Sequence, residues 1–186
     1  DNWTYDPQVG YDVSALASRL NWIFAQDFGD GAPRIAYFKR QLRTWGQLGL
    51  LSRAGVTGAT DNAATLYADV AIYQALVFTH LTQIDASRGV LRVFNAALLE
   101  PFGGHRAAII AAANGMPVVL AAKSYAWLNG MDARAYAPED VPAGIATIQV
   151  DLRNVVAAVG QARDALGPIP KTPGLKPANG AFWPTD

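Results

Sequence analysis

Past Asp12 the chain repeats apolar residues at Val13, Leu16, Ala17, Leu20, Ile23 and Phe24, the spacing of one face of an amphipathic helix, with Asp12 placed as its N-cap. The pattern predicts a stop between Ala25 and Phe28, because Gly29, Asp30 and Gly31 follow and Pro33 suits the first turn of a second helix. In that second segment, residues 34–45, Ile35, Phe38, Leu42 and Trp45 fall on one stripe, whereas Ala36, Tyr37, Lys39, Arg40, Arg43 and Thr44 lie on the other side. One side is built to pack and the other is polar and cationic. Gly46 and Gly49 are expected to break this helix, and residues 49–59 read as a short apolar strand running into a loop of small residues, a candidate wing.

From Leu66 the spacing Leu66, Val70, Tyr73, Val77, Leu81 and Ile84 predicts a third helix over the first two, with Asp69 as N-cap. A fourth, from about Ser87, turns Val90, Leu91, Phe94, Ala97 and Leu98 inward and ends at Pro101 and Gly103. The remainder differs in kind. It reads as an alanine-rich helix from Arg106 to Ala113 closed by Asn114 and Gly115, a strand from Pro117 to Ala122, a second strand on which Ile148, Val150 and Leu152 alternate with polar neighbours, and a helix over residues 154–166. From Gly167 the tail is dense in Pro and Gly without periodicity, so it is expected to be extended or disordered unless Phe182 and Trp183 dock. The expected fold class is mainly α with a small β component. A winged helix-turn-helix occupies residues 1–99, an α+β unit for dimerisation or effector binding 100–166, and a tail 167–186.

Composition narrows the function classes. Half of the 186 residues are apolar, enough for a real core, and no run of eighteen apolar residues suggests a membrane span. The first residues lack the basic-then-apolar layout of a signal peptide, so a soluble, cytoplasmic protein is expected. With no cysteine, thiolate metal sites, disulfides and cysteine nucleophiles drop out together. The formal net charge is zero, which argues against a general nucleic-acid coat, yet between Asp30 and Asp61 there is no acidic residue while Arg34, Lys39, Arg40, Arg43 and Arg53 are present. The plainer account of that window is a solvated helix face.

A B-form major groove admits one α-helix, and the side chains entering it must be long donors toward guanine or phosphate. Arg40 and Arg43 meet that need; Tyr37, Lys39 and Thr44 are candidates for phosphate contacts, and Arg53 for the backbone or a narrow minor groove beside the wing. Four features in order carry a resemblance: the Leu16–Leu20 element LASRL, the Trp45–Leu51 run WGQLGLL after the second helix, a loop reaching Tyr67, and a helix begun by Asp69. Together, over roughly residues 12–84, they resemble the DNA-binding domain of the MerR family of transcription regulators. The resemblance implies a winged helix-turn-helix that contacts double-stranded DNA. The chain departs from the family in a longer first turn, a wing loop that has lost most basic residues and keeps Arg53 and then the neutral Asn62, and a short helix where a long dimerisation helix would stand.

No active site is nominated. His80 reads as a partly buried structural histidine, and the Pro101–Arg106 loop, with His105 and Arg106 before a helix, as a plain turn or a weak anion site. No serine lies in a nucleophile-elbow pattern, and no paired carboxylates stand out. Tyr125, Trp127 and Met131 are candidates for core, a pocket or a dimer contact. The expectation is therefore a sequence-specific, homodimeric DNA-binding regulator that is not an enzyme and needs no metal or cofactor, with a small-molecule effector conceivable in residues 100–166. The alternative is a protein-interaction or assembly module on the same scaffold.

Overall fold

Asp12 heads the first helix as its short carboxylate suits it to do: Oδ1 accepts from the Ser14 and Ala15 amides at 2.7 and 2.8 Å. The computed structural model describes residues 9–31, 33–57, 64–99, 107–125, 130–142 and 147–173. These residues are mainly helical, and their strands form small antiparallel sheets of two, two and three strands. They fall into two compact units, residues 9–75 with 159–173, and residues 76–158.

In the first unit, α1 (Val13–Phe28) buries Leu16, Ala17, Leu20, Ile23 and Phe24, the stripe read from the sequence. Gly29 caps it and Gly29–Gly31 forms a 3-10 turn. The Asn21 amide then donates to the Pro33 carbonyl at 2.8 Å, tying the turn to α1. α2 (Ile35–Gln47) follows, with Arg34 at its N-cap; Pro33 therefore precedes the helix and does not sit in its first turn. Phe38, Leu42 and Trp45 are buried, and the Phe38 ring lies 5.5 Å from that of Phe24. Ile35, expected on the same stripe, is at the helix end and remains exposed.

α2 ends where Gly49 adopts φ 69°, a left-handed conformation that glycine enters without a Cβ penalty. The Leu50 amide donates to Trp45 O at 2.9 Å and the Gly49 amide to Gly46 O at 3.1 Å, a Schellman close with Leu50 buried behind it. Gly46, expected to break the helix, is inside it.

β2 (Arg53–Val56) and β3 (Thr65–Tyr67) pair antiparallel, with a register irregularity between Arg53 and Gly55. Thr57 and Ala64 close the pair with two hydrogen bonds, Thr57 N to Ala64 O at 2.9 Å and Ala64 N to Thr57 Oγ1 at 3.0 Å. The loop between them, including Asn62, lies outside the described residues. Leu66 thus belongs to a strand and not to the third helix, because Tyr67 exchanges backbone hydrogen bonds of 2.9 Å in both directions with Tyr11. Just before Tyr11, β1 (Val9–Gly10) pairs with β7 (Thr172–Pro173). The start of the tail is therefore extended and paired, while Phe182 and Trp183 lie outside the described residues.

α3 (Ala71–Gln83) begins later than expected and is buried at every position from Ala71 to Thr79, including Gln74 and Thr79. It is not the one-sided stripe that its leucine and valine spacing suggested, since alanines and isoleucine fill the other side. Gln74 Oε1 accepts from the Ser52 amide at 2.9 Å, which gives this buried polar group a partner at the foot of the hairpin. Ile84, placed on the inner stripe, is 61 % exposed in the turn after the helix.

The second unit contains α4 (Arg88–Leu99), started by Ser87 Oγ accepting from the Val90 amide at 3.4 Å, and α5 (Ala107–Ala113), closed by Asn114 and Gly115. α4 packs on β4 (Val119–Tyr125) and β5 (Gly130–Tyr136). β6 (Thr147–Asp151) completes an antiparallel sheet of order β5-β4-β6. α6 (Leu152–Leu166) leaves directly from β6, and from Val159 onward it belongs to the first unit. Residues 159–173 group with the N-terminal unit, and the boundary between the units after Ala75 falls inside α3.

The close approach of Tyr67 to Gly46 predicts a mutant. A Cβ on Gly46 would stand 2.5 Å from Tyr67 Oη and 3.1 Å from its ring, and Tyr67 is buried with its hydroxyl bonded to Leu42 O. Gly46→Ala gains about 1 kcal/mol of helix propensity, but the clash costs about 1–3 kcal/mol. Urea unfolding should show net destabilisation, and adding Tyr67→Phe should cost less than its effect alone. A Gly46→Ala protein as stable as the parent would refute the contact.

Candidate nucleic-acid interface

α2 presents the polar side foreseen for it. Arg40 and Arg43, three residues apart, are both exposed, and Tyr37, Lys39 and Thr44 are half-buried at its margins. Among the described residues no ion pair engages Arg34, Lys39, Arg40 or Arg43. The sharing of this surface is uneven. The Thr44 hydroxyl donates to Arg40 O at 3.0 Å within its own helix, and the Tyr37 ring meets Phe38 edge-on with centroids 5.4 Å apart. Both side chains are partly committed to the fold, which leaves Arg40, Arg43 and Lys39 as the outward donors.

Arg53 joins this surface from the hairpin. Its side chain is exposed, and Nη2 donates to Gly46 O near the C-terminal end of α2, where a cation also complements the helix dipole. Tyr67 lies beneath, donating Oη to Leu42 O at 3.3 Å. Burial pushes the Tyr67 phenol above its ordinary value, while the charges of Arg53 and Arg43 pull it back. The structure thus brings Arg43 of α2 and Arg53 of β2 around one buried tyrosine. At the other end, Arg34 makes no side-chain cap for α2, so the helix N-terminus is not neutralised by a carboxylate or hydroxyl of its own cap.

Elsewhere the candidates disperse. His80 is exposed, not partly buried, because the exposed edge of α3 passes through it. His105, Arg106 and the side chains of Tyr125, Trp127 and Met131 lie outside the described residues. Among the described residues no group of three or more His, Asp or Glu could hold a metal, and no helix is long and apolar enough to cross a membrane. Gly46, expected only as a helix breaker, and Gln74, unmarked in the sequence, lock the hairpin to α2 and α3. Sequence reasoning overlooked Arg19, which is 5 % exposed on the inner side of α1. An arginine between Ala17, Leu20 and Ile23 on that stripe was the available signal.

No family model, curated protein or solved structure matches the chain.

The phenols predict a pH dependence. Tyr67 has its ionisation raised by burial, and Tyr73 is raised by burial and by the neighbouring Asp69 and Tyr11. A raised folded-state value means the neutral form is favoured by folding, so this stability is intact below the unfolded value of about 10 and is lost as pH climbs from there toward the folded value. Thermal unfolding should show the Tm falling above about pH 10, with a shallower fall in Tyr67→Phe. A variant curve parallel to the parent's would show that Tyr67 carries none of it.

Proposed function

We propose that this chain is a sequence-specific DNA-binding transcription regulator of MerR-like type. In this reading α1, the Gly29–Gly31 turn and α2 form the helix-turn-helix, the β2–β3 hairpin is the wing, and the second unit serves homodimerisation. α2 lies in the major groove of double-stranded DNA. Arg40 and Arg43 read base edges or phosphates, Lys39 holds phosphate, and Arg53 fastens the wing beside the backbone.

The observation that carries the reading is the exposure of Arg40 and Arg43 on α2 without an ion pair among the described residues, next to a hairpin that adds Arg53. Were this an ordinary solvated helix face, interspersed acidic residues would be expected, and α2 has none. The uncapped start of α2 adds a place where a DNA phosphate can accept from backbone amides. Tyr37 and Thr44 contribute less in this reading, since Phe38 and Arg40 O already engage them.

A second reading, a protein-interaction module on the same scaffold, draws on Phe28 and Ile35, which are 48 % and 38 % exposed at the corner between α1 and α2. The two are separable. Binding to a pool of genomic duplex fragments, titrated with salt, should weaken with a log–log slope of about −0.9 per phosphate contacted. Arg40→Ala with Arg43→Ala should abolish selective binding and flatten the slope while leaving the Tm unchanged. Absence of binding at low salt, or an affinity indifferent to salt, would reject the DNA reading and leave the module reading in place.

A further inference from the structure

A cavity of about 600 Å³ opens in the first unit between the N-terminal half of α1, the start of α3, the end of α6 and the segment that follows it. Among the described lining residues, Val159 and Arg163 come from residues 100–166, where an effector site was expected. Its size lies within the range of pockets that take metabolite-sized ligands. Among the described lining residues, the walls combine apolar and aromatic surface, from Ile72, Ile169 and the rings of Tyr11 and Tyr73, with the cations Arg19, Arg163 and Lys171 against the carboxylate of Asp69; Arg163 also lies 3.9 Å from Asp164.

Arg19 is the unusual member. It is 5 % exposed, and both hydrogen bonds it makes among the described residues run from Nη1, to Ala162 O at 2.6 Å and Gly167 O at 2.8 Å. These carbonyls fix the side chain but leave its charge uncompensated, since no ion pair joins it to a carboxylate among the described residues. A guanidinium has five N–H donors in a planar fork, so Nε and Nη2 remain for two oxygens of an oxyanion. Burial already draws the Arg19 ionisation down from its ordinary value, the direction expected of a cation held away from water without a counter-charge. Arg163 and Lys171 are exposed, which places two further cations at the mouth of the same space.

We propose that this cavity binds a small organic anion, a carboxylate or phosphate monoester carrying an aromatic or aliphatic body, with its charged end on Arg19 and its body against Tyr11, Tyr73 and Ile72. A charged group alone would leave the apolar walls unused, and a neutral ligand would leave the buried guanidinium uncompensated. The mixed lining suits a molecule with both parts. The inference goes beyond DNA binding and does not depend on it.

The test needs no DNA. Thermal melting and calorimetric titration of the full chain are carried out with benzoate, phenyl phosphate, benzyl alcohol and inorganic phosphate at millimolar concentrations. Benzoate or phenyl phosphate should raise the Tm and bind in a saturable way, and the preference between them distinguishes a carboxylate from a phosphate ligand. Benzyl alcohol and inorganic phosphate should bind at least roughly tenfold more weakly, the factor that the loss of one charge-assisted contact represents. Lys171→Ala, on the surface, should weaken binding several-fold without changing the Tm of the free protein, and Arg19→Met should remove it. Should Arg19→Met fail to fold, Lys171→Ala and Arg163→Ala together carry the decision. No shift with any of the four compounds, equal shifts with benzyl alcohol and benzoate, or unchanged affinity in the Lys171→Ala Arg163→Ala protein would each overturn the proposal.

Discussion

Tyr67 is the contact on which the first unit turns. Its backbone exchanges two hydrogen bonds with Tyr11, its Oη reaches Leu42 O in α2, its ring lies on Gly46, and its strand partner is Arg53, which returns to Gly46 O. One side chain thereby joins the N-terminal strand, the second helix and the hairpin. A buried phenol needs a hydrogen-bond acceptor, and Leu42 O is available because Tyr67 comes close enough to lie over a residue without a side chain. Remove the glycine or the hydroxyl and the hairpin loses its fixed position beside α2. The relation of Arg53 to Arg43 follows from that position, so the proposed interface inherits its geometry from a packing constraint beneath it.

Legibility in the sequence followed the range of the interactions. α1, α2, α4 and α5 were readable because caps, apolar spacing and terminating glycines are local, and Asp12, Ser87, Gly49 and Gly115 act within a turn of their own helix. What was missed is long-range. β1 and β7 exist only because residues 9–10 meet 172–173, and nothing in either dipeptide announces it. β5 carries Ala, Arg and Asp where β-branched residues would have signalled a strand, and it is held by seven paired positions along β4. The late start of α3 has the same origin, since Leu66 and Val70 fit a helical period but the Tyr11 pairing claims Tyr67 first. The grouping of residues 159–173 with the N-terminal unit rests in part on Arg19 reaching carbonyls at Ala162 and Gly167, a contact spanning more than a hundred residues of chain.

The charged residues show the same division. The acid-free window from Arg34 to Arg53 is a property of composition along the chain and could be seen at once. Which of its members point outward was mostly decided by helical period, and Arg40 and Arg43 are exposed as that period requires. The secondary commitments of Thr44, Tyr37 and Arg53 were not visible, because each depends on a neighbour within a few ångströms. Arg19 was hidden for a different reason. In an amphipathic helix an arginine is assigned to the solvated side by default, and only the closure of α6 and residues 167–171 over α1 makes it interior.

In the proposed reading, two groups of cations let a chain of zero net charge serve an anionic partner. Long-range attraction scales with overall charge and is weak here, so a polyanion gains little before contact. In the proposed function, affinity comes from the few outward donors of α2 and the hairpin, acting within a Debye length of roughly 10 Å. A surface of that kind disfavours indiscriminate association, because the non-specific term grows with the number of phosphates neutralised, while the contacts to base edges do not. Arg19 is not among these outward donors, since it is 5 % exposed and its carbonyl partners hold it in place. Its charge lines the cavity proposed to take a small anion. One chain thus separates its cations by environment. The exposed ones are the proposed contacts to a duplex and the buried one the proposed contact to a small anion, and α1 carries the buried one while its Phe24 supports Phe38 of the helix that carries the others.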